Sequence, residues 1–97
     1  MSKLRFTRQA DDDLKTLERD RGLVRRFKAV RKALGYLEMN HRHPALGIYE
    51  YESLKGLNGE KVFEAHAENK TPAAYRIFWH YSPGKDVITI IAITPHP

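Results

Sequence analysis

Two stretches in the last third of the chain set acid, imidazole and guanidinium groups at alternating positions. Lys61-Val-Phe-Glu-Ala-His-Ala67 places Phe63, Ala65 and Ala67 on one side and Val62, Glu64 and His66 on the other. Ala74-Tyr-Arg-Ile-Phe-Trp-His-Tyr81 places Tyr75, Ile77, Trp79 and Tyr81 one way and Ala74, Arg76, Phe78 and His80 the other. Successive strand side chains point to opposite faces, so each run defines an apolar face and a mixed face. A carboxylate, an arginine and several histidines then share one wall of a small sheet. Acid–base chemistry on a charged substrate needs such a set: a base, a permanently charged fork for an anion, and an imidazole that titrates near neutral pH. A structural reading competes at each position. Opposite charges on facing strands stabilise by ~0.2–1 kcal/mol, and on that ground Glu64 and His66 read as cross-strand partners of Arg76 or His80. His80 itself reads as a surface group at a hairpin end, and Trp79 and Tyr75 as core.

The elements that hold these runs follow from periodicity. Lys3 to Arg8 alternates and reads as a first strand. Thr7 suits the cap of a helix through Arg19, with Ala10, Leu14 and Leu17 at helical spacing. Asp11, Asp12 and Asp13 read as a solvated helix start, where the helix dipole favours carboxylates. A second helix is expected from about Leu23 to Met39, its buried stripe formed by Leu23, Phe27, Val30, Leu34 and Leu37. Its outer face carries Arg21, Arg25, Arg26, Lys28, Arg31 and Lys32 with no acid from Arg21 through Leu37, which suits a phosphate backbone or an acidic protein chain. His41 and His43 read as loop histidines, two imidazoles being too few for a zinc site. Residues 48–54 suggest a strand edge, Asn58-Gly59 a turn, Ser82 to Asp86 a hairpin loop, and Val87 to Thr94 a central strand covered on both faces.

Ninety-seven residues without cysteine read as one domain, residues 1–97, with neither disulfides nor a thiolate metal site. No apolar run approaches the ~20 residues that span a bilayer, and no signal peptide is evident. A cytoplasmic protein is expected. The formal charge of +5 points to an anionic partner. Strand, helix, helix and then a run of strands imply an α+β fold. The expected architecture is a two-helix hairpin on one face of a twisted, mostly antiparallel sheet of four strands, with the polar set on the other, open face.

Order, length and the phrases Glu52-Ser-Leu-Lys-Gly56, Ala74-Tyr-Arg-Ile-Phe-Trp79 and Ile91-Ala-Ile-Thr-Pro-His96 resemble the RelE/ParE superfamily of bacterial toxins across nearly the whole chain. The Glu-x-Leu-Lys phrase before a glycine turn, and a histidine at the chain's end, are closest to the YoeB-like branch. The resemblance implies the toxin of a type II toxin–antitoxin pair that cleaves mRNA, typically on the ribosome, without metal or other cofactor. Carried over by position, Glu52 matches the general base, Arg76 the phosphate-binding arginine and His96 the C-terminal general acid. Lys55 matches a basic residue beside the site. His66 stands in reserve for His96, and Arg25 and Arg26 supply basic surface for RNA. The chain departs from many members at Glu64 and His66, where an arginine is usual, and at Pro97, where the branch often ends in tyrosine. The implied partners are a cognate antitoxin, mRNA and the ribosome, with no membrane and no small molecule. Two other functions share the fold: a ParE-like gyrase inhibitor that does not cut RNA, and a non-catalytic member that only binds its antitoxin.

Overall fold

The computed structural model describes residues 1–69, 71–84 and 86–95. Along the chain run β1 (Lys3–Phe6), α1 (Arg8–Arg19), a 3₁₀ turn (Arg21–Leu23), α2 (Val24–Met39), a second 3₁₀ turn (Pro44–Leu46), β2 (Tyr49–Lys55), β3 (Lys61–His66), β4 (Tyr75–Tyr81) and β5 (Val87–Pro95). Helix α1 starts where Thr7, in extended conformation, accepts the amide of Ala10 at 3.1 Å. It stops at Asp20, whose carboxylate takes the Gly22 amide at 2.9 Å and opens the 3₁₀ turn that leads into α2.

The sheet runs β1-β5-β4-β3-β2, with β1 parallel to β5 and the other pairs antiparallel. It has five strands where four were expected, because the segment read as a strand edge forms the full strand β2 against β3. Both helices pack on one face. Ala10, Leu17, Val30, Leu34 and Leu37 meet Ile77, Trp79, Ile88, Ile90 and Ile93 in a single buried cluster. Fully burying one such large side chain is worth about 1.5–3 kcal/mol. Trp79 belongs to this cluster, as the alternation predicts. Tyr75 packs at its margin.

Strand β5 is central but less covered than expected. Its ladder with β4 slips between Phe78 and Trp79, which pair with Ala92 and Ile90, so Ile91 is the extra residue of a bulge. Ile88, Ile90 and Ile93 lie under the helices, whereas Ile91 and Ala92 are only half-buried. The backbone groups around the bulge find partners on α1. Thr7 Oγ1 donates to the Ile91 carbonyl at 3.1 Å, and Asp13 Oδ2 accepts the Ile93 amide at 2.9 Å. Asp13 is therefore not a solvated helix-start residue, while Asp12 is exposed and Asp11 pairs with Lys15 at 2.9 Å.

Asp13→Ala leaves the Ile93 amide without its acceptor and is expected to cost about 1–3 kcal/mol, lowering the melting midpoint by several degrees. Asp12→Ala is expected to stay within about 0.5 kcal/mol of the parent. Denaturant melts of the two variants check this, and equal midpoints contradict the anchoring role.

Candidate functional site

The face of the sheet opposite the helices carries the polar set, but that face is not fully open. The registers Glu64↔Phe78 and His66↔Arg76 on β3 and β4, and Tyr49↔Glu64 on β2 and β3, bring four candidate side chains onto neighbouring positions. Glu64 is fully buried and Arg76 is 9% exposed. Arg76 Nε lies 3.1 Å from Glu64 Oε1, so the cross-strand pair foreseen from the alternation is present. Tyr51 and Phe78, in edge contact at 5.0 Å between ring centres, add apolar cover on this face.

The guanidinium is held from a second side. Its Nη1 donates to the Glu68 carbonyl at 2.7 Å and to the Tyr75 carbonyl at 3.2 Å. Glu68 in turn is part of the compact β3–β4 loop, where its carboxylate accepts the Tyr75 amide at 3.1 Å. Arg26 on α2 clasps the same loop, donating to the carbonyls of Ala73 at 2.7 Å and Pro72 at 3.0 Å and lying over the Tyr75 ring. Of the arginines expected on the outer face of α2, Arg26 is thus engaged in holding the loop, whereas Arg25 is exposed. Arg76 Nη2 makes no hydrogen bond to the described residues.

His66 sits beside this pair. Its Nδ1 is 2.7 Å from Asn69 Oδ1. A carbonyl oxygen only accepts, so Nδ1 carries the proton, and in the neutral ring the lone pair is left on Nε2. Tyr49 meets the His66 ring edge-on at 6.0 Å. Burial, and then its hydrogen bond to Glu64, raise the Tyr49 phenol above its ordinary value, so it remains a donor at neutral pH. The arrangement combines an imidazole whose Nε2 makes no hydrogen bond to the described residues, an anchored guanidinium and a phenol. That set can take a proton and hold an anion.

Other expected residues lie elsewhere or beyond description. Glu52 is exposed on β2, where the ladder with β3 is irregular, and no described contact links it to Arg76. Lys55 is exposed and lies 3.6 Å from Glu50. His96 and Pro97 fall outside the described residues. His80 is buried, not a surface group: Thr89 pairs with it on β5, and its Nδ1 meets the Tyr81 carbonyl at 2.9 Å. His41 and His43 are half-buried: His43 stacks on Tyr36 and accepts the Ala45 amide, while His41 meets Trp79 and Tyr81. Among the described residues no group of three or more His, Asp or Glu side chains could hold a metal ion, and no helix is long and apolar enough to cross a membrane. Sequence reasoning overlooked Tyr49 and Asn69. The Tyr-x-Tyr alternation of 49–51 was a usable signal for the first, and nothing in the sequence marked the second.

Because Glu64 is the countercharge of a buried guanidinium, Glu64→Gln is expected to destabilise by about 3–5 kcal/mol. Glu52→Gln is expected to change stability by less than about 0.5 kcal/mol. Tyr49 should ionise above the ordinary ~10 of tyrosine, so its contribution to stability is complete below pH ~10 and is lost as pH rises through the folded-state value. Absorbance titration at alkaline pH should show one late-ionising tyrosine that disappears in Tyr49→Phe. A Tyr49 that ionises with the free side chains contradicts the contact.

No family model matches the sequence, and no curated protein matches it. Solved structures do share its shape. The YoeB/ParE toxin from Agrobacterium tumefaciens superposes over 100% of both chains at TM-score 0.72 with 15% identity. A metal-bound toxin from Helicobacter pylori matches over 99% of this chain and 96% of its own at TM-score 0.68 with 18% identity. A chain of the archaeal RelE–RelB complex from Pyrococcus horikoshii matches over 97% of this chain and 93% of its own at TM-score 0.65 with 15% identity.

Proposed function

We propose that this chain, which has the RelE/ParE toxin fold, is the toxin of a type II toxin–antitoxin pair and acts as a metal-independent endoribonuclease on mRNA at the ribosome. The observation that carries the chemistry is the adjacency of His66 and Arg76, with Asn69 fixing which imidazole nitrogen is free. In the proposed reaction a base takes the proton of a ribose 2′-hydroxyl, the 2′-oxygen attacks the adjacent phosphorus, and the 5′-oxygen leaves with a proton. The products are a 2′,3′-cyclic phosphate and a free 5′-hydroxyl. His66 Nε2 is the base that the geometry favours. Arg76 spreads the phosphorane charge through Nη2, which makes no hydrogen bond to the described residues. Tyr49, whose single O–H is held by Glu64, flanks the His66 ring and takes no part in the proton transfers. His96 keeps its expected role as the acid, Glu52 that of an alternative base, and Lys55 that of a nearby cation. The exposed cations of α2, Arg25 among them, offer a track for the RNA backbone.

The same basic surface suits an acidic antitoxin that folds as it binds and screens the charge. The Pyrococcus structure contains a RelE–RelB complex, which supports a partner of that kind here. Cytoplasmic placement follows from the proposed target. One observation favours a second reading. Arg76 is nearly buried and paired, and a guanidinium that never turns to substrate leaves a gyrase inhibitor or an antitoxin binder without nuclease activity.

Induced expression in a bacterium, with mapping of mRNA ends, separates these. Wild type is expected to arrest growth and create new mRNA 5′ ends. His66→Ala and Arg76→Lys are expected to reduce cleavage by about 10²–10⁴-fold, the usual worth of one acid–base group or oriented donor. Arrest without new ends supports gyrase as target, and no arrest supports the binder.

A further inference from the structure

On the helix side of the sheet, a second aromatic site opens where α2 ends. Phe63 stacks on Trp79 with ring centres 5.0 Å apart, and Tyr81 meets both edge-on at 5.6 and 5.1 Å. The loop after α2 brings His41 against this cluster, 5.3 Å from Tyr81 and 6.3 Å from Trp79. Between loop and strands lies a notch of about 570 Å³, with Arg42, His43 and Ile48 on its rim and no carboxylate among its lining residues. Tyr81 is 45% exposed, and His41 makes no ring-nitrogen hydrogen bond to the described residues. Beneath them, Trp79 Nε1 is buried without a hydrogen-bond partner among the described residues, a state that calls for a reason in a packed protein.

We propose that this notch takes one unstacked nucleobase of single-stranded RNA, apart from the phosphate site across the sheet. An exposed aromatic face beside a cation is the minimal platform for a base and its phosphate, since every base has a π-face and every nucleotide a negative charge. Tyr81 is the stacking face. His41 donates to the base edge. Arg42, exposed and free of acidic neighbours in the notch, meets the phosphate. The lack of carboxylates and the chain's net charge of +5 argue for an anionic occupant, and the ring cluster argues for a planar one. The inference deepens the RNA reading and rests on it. It also assigns Tyr81 a stacking role on the opposite face from Arg76, so a bound strand must wrap an edge of the sheet to use both sites.

Trp79 is the chain's only tryptophan and lines this notch, so its emission follows the notch when read beside the Tyr81 variant. The probe is a fluorescein-labelled 2′-O-methyl hexaadenylate, which the proposed reaction does not cleave. Anisotropy of the label measures total binding, and Trp79 emission measures occupation of the notch. The expected result is a saturable change in Trp79 emission that tracks anisotropy. Tyr81→Leu is expected to weaken binding by about 5- to 150-fold, the loss that one base–aromatic stack brings. Arg42→Gln should lower the slope of log affinity against log salt by about one. Far-UV circular dichroism melts of both variants establish that they fold, and exposed Tyr81 and Arg42 make that outcome the expected one. Binding seen by anisotropy with no change at Trp79 and no effect of Tyr81→Leu overturns the notch and leaves RNA as the target. No binding by either signal overturns both. A change at Trp79 produced by an acidic peptide, but not by the oligonucleotide, overturns the proposal in favour of a protein partner.

Discussion

A buried guanidinium–carboxylate pair governs the face that carries the proposed chemistry. Glu64 and Arg76 sit diagonally on adjacent strands, almost out of water. Each ion loses hydration worth several kcal/mol, and their attraction repays it only with good geometry and further hydrogen bonds. The neighbouring structure supplies those bonds: the Glu68 and Tyr75 carbonyls for Arg76, and the Tyr49 phenol for Glu64. That need explains why the β3–β4 loop is tight, why Arg26 reaches from α2 to clasp it, and why β2 must align Tyr49 opposite Glu64. A pair this demanding is weak evidence for stability as such. Its clearer consequence is positional, since it holds the guanidinium in one pose through Nε and Nη1.

The helices contribute in a different way. They cover one side of the sheet through an ordinary apolar stripe, and α1 also reaches the bulge in β5 with Thr7 and Asp13. The bulge shifts the pairing of β4 and β5 between Phe78 and Trp79. Ile90 and Ile93 both stay in the core as a result, three residues apart on a strand where an even spacing would be the rule. Fold and site are thus coupled through β4, which carries Arg76 on one face and Trp79 on the other.

Much of this was legible in the residues. Alternation sorted both faces of β3 and β4 correctly, the four-three spacing marked the buried stripe of α2, and Thr7 capped α1 as its type suggests. Depth was harder to read. A period of two says which side a residue faces and says nothing of what lies over it. His80 reads as a hairpin-end surface group and is buried where it pairs with Thr89 of β5. Asp13 looks like any helix-start acid, and its partner is 80 residues away. His41 and His43 sit in a polar loop, yet the fold presses them onto aromatic rings contributed by other elements. The site was half visible for the same reason: Arg76, Glu64 and His66 come from alternation, whereas Tyr49 depends on the β2 register and Asn69 on the path of a loop.

The central claim is that Arg76 and His66 together face a phosphate from the open side of the sheet. Nitrogen-resolved NMR of the Arg76 guanidinium and the His66 ring, during titration with an uncleavable 2′-O-methyl RNA, addresses it most directly. The account predicts that both side chains shift in step and saturate at the same RNA concentration, with the proton of free His66 on Nδ1. RNA that binds while both signals stay in place contradicts it.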